Sequence, residues 1–250
     1  DMLTMPDSQI IGTNLRKIFD RETADLHLQK ISECLKKHEL ITYEFSGTDK
    51  GEIKFFEIRL SSLGTDRVLT FVRDITAEKL KDNEIKKLSL AVEQSPVLII
   101  ITDLSGNIEY VNQTFETTTG YSKAELIGQN PRILKSNITD AQVYTNMWQS
   151  ISEGKQWFGE LINKKKNGEL YWESMSITPV RNETGKITNY LAVKQDITQR
   201  KQTEDILRQS EEKYRYMFVN NPQPMWIYDL ETLAFLEVNS AAVDHYGYSR

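Results

Sequence analysis

Cysteine is almost missing from these 250 residues: Cys34 stands alone, so neither an internal disulfide nor a cysteine-rich zinc site can form, a usage that fits a reducing cytoplasm. Proline and glycine are scarce too, at 6 and 12, which excludes collagen-like and low-complexity chains. The longest wholly apolar run, Val97 to Ile101, falls far short of the roughly 20 residues that a membrane-spanning helix needs, and no basic-then-apolar signal peptide opens the sequence. No membrane insertion is expected of this segment. Basic excess is absent as well: a net charge of -5 argues against a nucleic-acid partner. Catalytic patterns are missing in turn. There is no Gly-x-x-x-x-Gly-Lys phosphate loop and no His-Glu-x-x-His zinc pattern, and none of His27, His38 and His245 lies in the capped helix followed by proline of a histidine-kinase phosphoacceptor. The segment is therefore not expected to be an enzyme. What remains, 27% charged and 39% hydrophobic residues, is a globular chain long enough for roughly two domains.

What the sequence does hold is a repeat. Ile11-Gly12-Thr13-Asn14 with Arg16 recurs as Ile127-Gly128-Gln129-Asn130 with Arg132. Asp74-Ile75-Thr76 recurs as Asp196-Ile197-Thr198. Pro96, Asp103, Val111-Asn112 and Gly120-Tyr121-Ser122 recur as Pro222, Asp229, Val238-Asn239 and Gly247-Tyr248-Ser249. A unit of about 120 residues thus occurs as a C-terminal part (1 to 76), one complete copy (91 to 198) and an N-terminal part (217 to 250). Because the outer units are partial and no initiator methionine opens the chain, a piece of a longer protein is expected.

The complete copy reads element by element. Val97 to Thr102, the turn residues Asp103 to Asn107, and Ile108 to Val111 spell a hairpin. Short helical pieces follow, with Asn112 as an N-cap, Gly120 as a C-cap and Ser122 with Glu125 as a capping box. A helix opens at Thr139-Asp140, carries Val143, Met147 and Ile151, and is closed by Gly154. Three strands come last, Gln156 to Lys164, Glu169 to Val180 and Lys186 to Ile197. The class predicted is α+β: a five-stranded antiparallel sheet with short helices on one face, in tandem repeats joined by amphipathic helices.

These residues resemble the PAS sensor family: Asp103 to Asn112, Gly120 to Gly128, Lys166-Asn167-Gly168 and Asp196-Ile197-Thr198 all look like its motifs. The resemblance implies a PAS fold with a small-molecule ligand between the inner sheet face and the helices. Alternation on the second-last strand puts Tyr171, Glu173, Met175 and Ile177 on one face. Glu173 is then an acid among apolar neighbours, either binding a polar group or sitting solvated at the pocket rim, and the rim reading is taken. Asn130 to Leu134 with Trp157, Gly159 and Asn163 resembles the flavin-binding branch, which includes the LOV photoreceptors and the redox-sensing PAS of nitrogen-fixation regulators. FAD is the cofactor so implied, with Asn130 and Arg132 matched, Arg132 meeting a flavin phosphate, Asn163 bonding the isoalloxazine edge and Trp157 matching the redox branch. The alternative has Trp157 filling the core and Asn163 capping the lysine turn that follows it. Pro131 stands where LOV domains carry the adduct-forming cysteine, and Lys194 where they carry the glutamine facing flavin N5, so thiol photochemistry is excluded in this unit. His27 lies roughly where heme-binding relatives place the iron ligand, but without further heme signature it is read as a surface residue.

Two linkers, 77 to 94 and 199 to 218, carry Leu80, Ile85, Leu88 and Val92, and Ile206, Leu207, Tyr214 and Phe218, and read as amphipathic helices. Either they pair in a homodimer or they pack back on their own sheet. Asp196 and Thr198, with Asp74 and Thr76 before them, stand where a strand enters such a helix and are read as signal-coupling residues that cap it. The whole is expected to be a cytoplasmic sensory and relay segment of a two-component signalling protein, most plausibly a histidine kinase whose catalytic domains lie outside this chain. It would bind a small ligand and form a homodimer through PAS domains and linker helices. The alternative is a ligand-free PAS array for dimerisation and spacing.

Overall fold

The computed structural model describes residues 11–49 and 51–247. Residues 1–10 of the first expected unit and 248–250 of the last, with Tyr248 and Ser249 of the repeat, lie outside the described residues. The chain falls into two units, Asp1–Leu90 and Ala91–Arg250.

In the first unit a short helix α1 (Leu15–Ile18) precedes α2 (Arg21–Lys37), which Asp20 caps by accepting from Thr23 N at 2.9 Å. Three strands follow, β1 (Ile41–Asp49), β2 (Glu52–Ser62) and β3 (Val68–Asp74), in the order β1-β2-β3 with antiparallel pairing. Cys34, Ile58 and Leu60 form the buried centre, flanked by Ile31, Tyr43, Phe45 and Val68.

Helix α3 (Thr76–Glu93) leads to the complete copy of the repeat. Here β4 (Leu98–Thr102) and β5 (Ile108–Val111) form the expected hairpin, its turn closed by Asp103 Oδ1 accepting from Ser105 N and Asn107 N. Helices α4 (Gln113–Thr119) and α5 (Lys123–Leu126), a 3-10 turn at Pro131–Leu134 and α6 (Ala141–Ser152) cross over to β6 (Trp157–Lys164), β7 (Leu170–Arg181) and β8 (Ile187–Asp196). The sheet order is β5-β4-β8-β7-β6, antiparallel throughout. This is the α+β fold expected. The core draws on both halves of the unit, Leu98, Ile100, Ile108, Val111 and Phe115 from the hairpin side, and Met147, Ile151, Leu161, Met175 and Ile177 from the other. Strands on this sheet alternate in burial because one face meets the helices and the other does not, as β7 shows from Leu170 to Ile177.

Helix α7 (Thr198–Val219) leaves β8 and is followed by a second hairpin, β9 (Trp226–Tyr228) with β10 (Phe235–Val238), and helix α8 (Ser240–Tyr246). The repeated Val-Asn pair now has a physical reason. Asn112 Oδ1 accepts from Ile99 N at 2.9 Å and Phe115 N at 3.2 Å while its amide donates to Val97 O at 2.9 Å. Asn239 does the same with Met225 N, Ala242 N and Gln223 O. One buried amide thus ties the helix N-terminus to the strand before it. Among the described residues no helix is long and apolar enough to cross a membrane.

Candidate functional site

The inner face of β7 carries the one carboxylate of the central core. Glu173 is fully buried, so three donors converge on it, as the desolvation of a charge requires. Lys194 Nζ lies 3.0 Å from Oε1, Asn163 Nδ2 donates to the same oxygen at 3.1 Å, and the Tyr171 hydroxyl donates to Oε2 at 2.9 Å. The register explains the meeting: Leu161 faces Glu173 across β6 and β7, Asn163 faces Tyr171, and Lys194 of β8 faces Met175. Every member therefore points to the same face. Burial and the neighbouring Glu173 charge push the Tyr171 phenol far up, so it stays a neutral donor. Lys194 Nζ also lies 5.7 Å from the centre of the Phe115 ring. On α6, Tyr144 packs against this core with its hydroxyl buried and without a hydrogen-bond partner. Thr139, close by, is engaged with the Ile162 backbone. Burial raises the Tyr144 phenol, the neighbouring Thr139 side chain offsets part of that, and the Glu173 charge adds a smaller upward push.

The same strand is bonded to the outgoing helix. Trp172, next to Glu173 in sequence, donates its N–H to Thr198 Oγ1 at 2.9 Å and accepts from Ile197 N at 2.8 Å, while Asp196 Oδ1 accepts from Thr198 N at 2.9 Å. The first unit repeats this junction: Phe55 N donates to Thr76 Oγ1, Phe55 O accepts from Ile75 N, and Asp74 Oδ1 accepts from Thr76 N, each at 2.9 Å. Thr76's hydrogen bonds hold the Asp74 carboxyl below its ordinary value. Asp74 and Asp196 thus serve helix N–H groups as expected. Thr76 and Thr198 do not: their hydroxyls accept from the strand, not from the helix, and so clasp the two elements together.

A family profile described as PAS domain matches residues 1–77 and 96–199, and a second with the same description matches residues 212–250. The chain belongs to the PAS domain family. A nitrogen fixation regulatory protein of Klebsiella oxytoca is 45% identical over 107 residues, 43% of this chain and 22% of that protein. Hybrid signal transduction histidine kinase L of Dictyostelium discoideum is 33% identical over 129 residues, 52% of this chain and 7% of that protein. The aerotaxis receptor of Escherichia coli is 32% identical over 97 residues, 39% and 19% respectively. The chain spans about a fifth or less of the length of these relatives.

Within the central PAS unit, the residues singled out from the sequence divide into two groups. Asn163, Glu173 and Lys194 come together, and the solvated-rim reading of Glu173 is corrected: its side chain is sealed from water and paired. Asn163 does not cap the lysine turn. Trp157 is half-buried at the start of β6, packed against the core with its indole folded over Gly159, where a Cβ would stand 2.3 Å from the ring. Asn130 and Arg132 stay outside the cluster. Asn130 caps the 3-10 turn by accepting from Arg132 N at 3.1 Å, and Arg132 is exposed. Sequence reasoning missed Tyr171 as a donor and Tyr144 altogether. The alternation of β8, which groups Lys194 with Tyr190 and Ala192, was the available signal for the ion pair.

The polar cluster belongs to the central unit alone. Equivalent register positions in the first unit are Gly47, Phe56 and Val72, where Phe56 faces Asp74 as Glu173 faces Asp196. These apolar residues line a cavity of about 460 Å³ whose polar groups include His27 and Tyr43. His27 is buried, against the surface reading: its Nδ1 meets the Tyr43 hydroxyl, its Nε2 has no partner, and the Phe19 and Phe45 rings lie 4.8 and 4.9 Å from it, edge on.

Proposed function

We propose that this chain is a sensory and relay segment in which the central PAS unit binds a small ligand, FAD, and passes the change to α7. The observation that carries the reading is the Glu173 cluster, one residue along β7 from the backbone groups of Trp172 that hold the start of the helix. The donor set suits a flavin edge: a carboxylate can accept from an imide N–H, an amide can donate and accept, and an ammonium can donate to a ring carbonyl. The Tyr144 hydroxyl, buried and unpartnered, offers one more polar contact. Arg132, exposed on its turn, is the residue for a phosphate. The 45% identity to a nitrogen fixation regulatory protein supports the choice of cofactor. Redox chemistry would be the flavin's own; the chain's part is to hold its edge and to sense it.

Sensing follows from shared acceptors. Glu173 has two oxygens for three donors, so a ligand that engages Asn163 or Lys194 must rearrange the remaining bonds. Lys194 lies two residues before Asp196 on β8, so both strands that meet at the helix start carry a member of the cluster. We read residues 1–76 and 217–250 as parts of flanking PAS units and the whole as part of a cytoplasmic signalling protein whose histidine-kinase domains lie outside this chain, which the likeness to the Dictyostelium kinase supports. Leu80, Ile85 and Leu88 on α3 and Ile206 and Leu207 on α7 are more than half exposed. They are free to pair with a second protomer instead of packing on their own sheet. The complete mutual pairing of the cluster favours a second reading, a ligand-free PAS array for dimerisation and spacing.

A visible absorption spectrum of the chain after reconstitution with FAD separates the two. Flavin bands are expected in the wild type, and their loss in Asn163→Ala and Trp157→Ala with the far-UV spectrum unchanged. A colourless, folded wild-type protein overturns the ligand reading.

A further inference from the structure

Each outgoing helix is fastened to its sheet twice. The hydroxyl of Thr76 or Thr198 ties the helix start to β2 or β7, and an ion pair one turn further along ties it to the strand at the sheet edge, β1 or β6. In the central unit both carboxylate oxygens of Glu160 on β6 are turned to α7: Oε2 lies 2.7 Å from Lys201 Nζ and Oε1 2.8 Å from Arg200 Nη2. In the first unit Glu44 on β1 holds α3, its Oε2 2.6 Å from Lys79 Nζ. The register makes these one position. Leu161 faces Glu173 as Phe45 faces Phe56, so Glu160 and Glu44 are equivalents, and Lys201 and Lys79 are each the fourth residue of their helix. The surroundings differ: Ser174 faces Glu160 where Glu57 faces Glu44, and Arg200 stands where the first unit has Glu78. The pair recurs although its neighbours do not.

We propose that Glu44 and Glu160 are positioning residues that set the direction in which a helix leaves its PAS unit, letting the edge strand steer it. A single fastening at the helix start leaves the axis free to pivot, and a second one turn along fixes it. From residue 202 to residue 217 α7 is exposed throughout, so its direction is decided where it leaves the sheet. Exposed ion pairs add little to stability because water and salt screen them, which suits a hold that must give way without unfolding the domain. Lys201 is kept in place by Trp172, whose ring centre lies 5.2 Å from Nζ. The edge strand also reaches the interior: Asn163, three residues past Glu160, points to the opposite face and donates to Glu173. A displacement of β6 at Asn163 thus arrives at α7 through Glu160, by a route separate from Trp172 and Thr198. This inference does not depend on the ligand reading.

Double electron–electron resonance on the whole chain reads the helix direction. Nitroxide labels on the exposed positions Glu183→Cys and Gln209→Cys relate the central sheet to α7, and labels on Asp66→Cys and Lys86→Cys relate the first sheet to α3. The chain without added cysteines, its Cys34 buried, is the blank. Each pair should give a narrow distance distribution at about 20 mM salt and a shifted, broader one at about 1 M, where the screening length is about 3 Å. Glu160→Gln and Glu44→Gln should show the broad distribution already at low salt and respond to salt no further, with the far-UV spectrum unchanged. Distributions that salt leaves unaltered in the parent overturn the proposal, even if a variant fails to fold. A salt response as large in Glu160→Gln as in its parent overturns it too, because the charges concerned then lie elsewhere, and a first-unit pair that responds to neither salt nor Glu44→Gln removes Glu44 from it.

Discussion

Thr198 is bonded to Trp172 before it is part of its own helix: the strand N–H donates to the Thr198 hydroxyl at 2.9 Å while the strand carbonyl accepts from Ile197 N at 2.8 Å. The helix that leaves the central PAS unit is therefore an extension of β7 as much as of β8. Thr198→Val keeps the shape but leaves the half-buried Trp172 N–H without an acceptor. A loss of about 1–3 kcal/mol is expected, with Thr198→Ser close to wild type. Urea denaturation of both variants checks it; equal midpoints for wild type and Thr198→Val would show that the bond is dispensable.

Lys194 and Glu173 form a buried pair, and removing one partner strands the other charge. Lys194→Met alone should cost about 3–5 kcal/mol, while Glu173→Gln with Lys194→Met should recover most of that. A double-mutant cycle measures the coupling, and additive losses would contradict the pairing.

Much of this fold was legible because its signals are local. The Asp103 turn, the Asn112 cap, the Ser122 and Glu125 box, in which Ser122 N donates to Glu125 Oε2 at 2.9 Å, and the Asp140 cap each depend on residues a few positions apart. The cluster was half legible. Alternation put Glu173 on the inner face, yet its partner is 21 positions away on the neighbouring strand; the alternation of β8 marks Lys194 as inward, and the register of β7 against β8 brings the two together. Without that pairing a carboxylate in a core looks too costly, which is why the rim reading was preferred. His27 misled for the related reason that a single polar residue on a helix carries no sign of the aromatic rings β1 brings against it. Asn130 and Arg132 matched a motif whose local requirement, an Asn-capped 3-10 turn, is met without any ligand.

Acid should weaken the first unit. Burial lowers His27 below its ordinary value of 6.5. The unfolded chain thus binds a proton near 6.5 that the folded chain resists. Stability present above pH 6.5 is lost as the pH falls below it towards the folded value. Urea midpoints at pH 7.5 and 5.5 should diverge more for the wild type than for His27→Phe; identical pH dependence in the two would remove His27 from the account.

Blue light should leave a flavin-loaded chain unchanged over seconds. Pro131 opens the 3-10 turn where a thiol would be needed, and Cys34 is buried in the first unit. Reversible bleaching that persists in Cys34→Ala would contradict this assignment of the site.

The central claim is that a ligand engaging the Glu173 cluster is felt at the start of α7, and hydrogen–deuterium exchange at residues 197–202, with and without saturating FAD, tests it most directly. The account predicts that FAD changes exchange there in the wild type and that Thr198→Val, still binding FAD, loses most of the change. Exchange at those residues that is the same with and without bound FAD would contradict it.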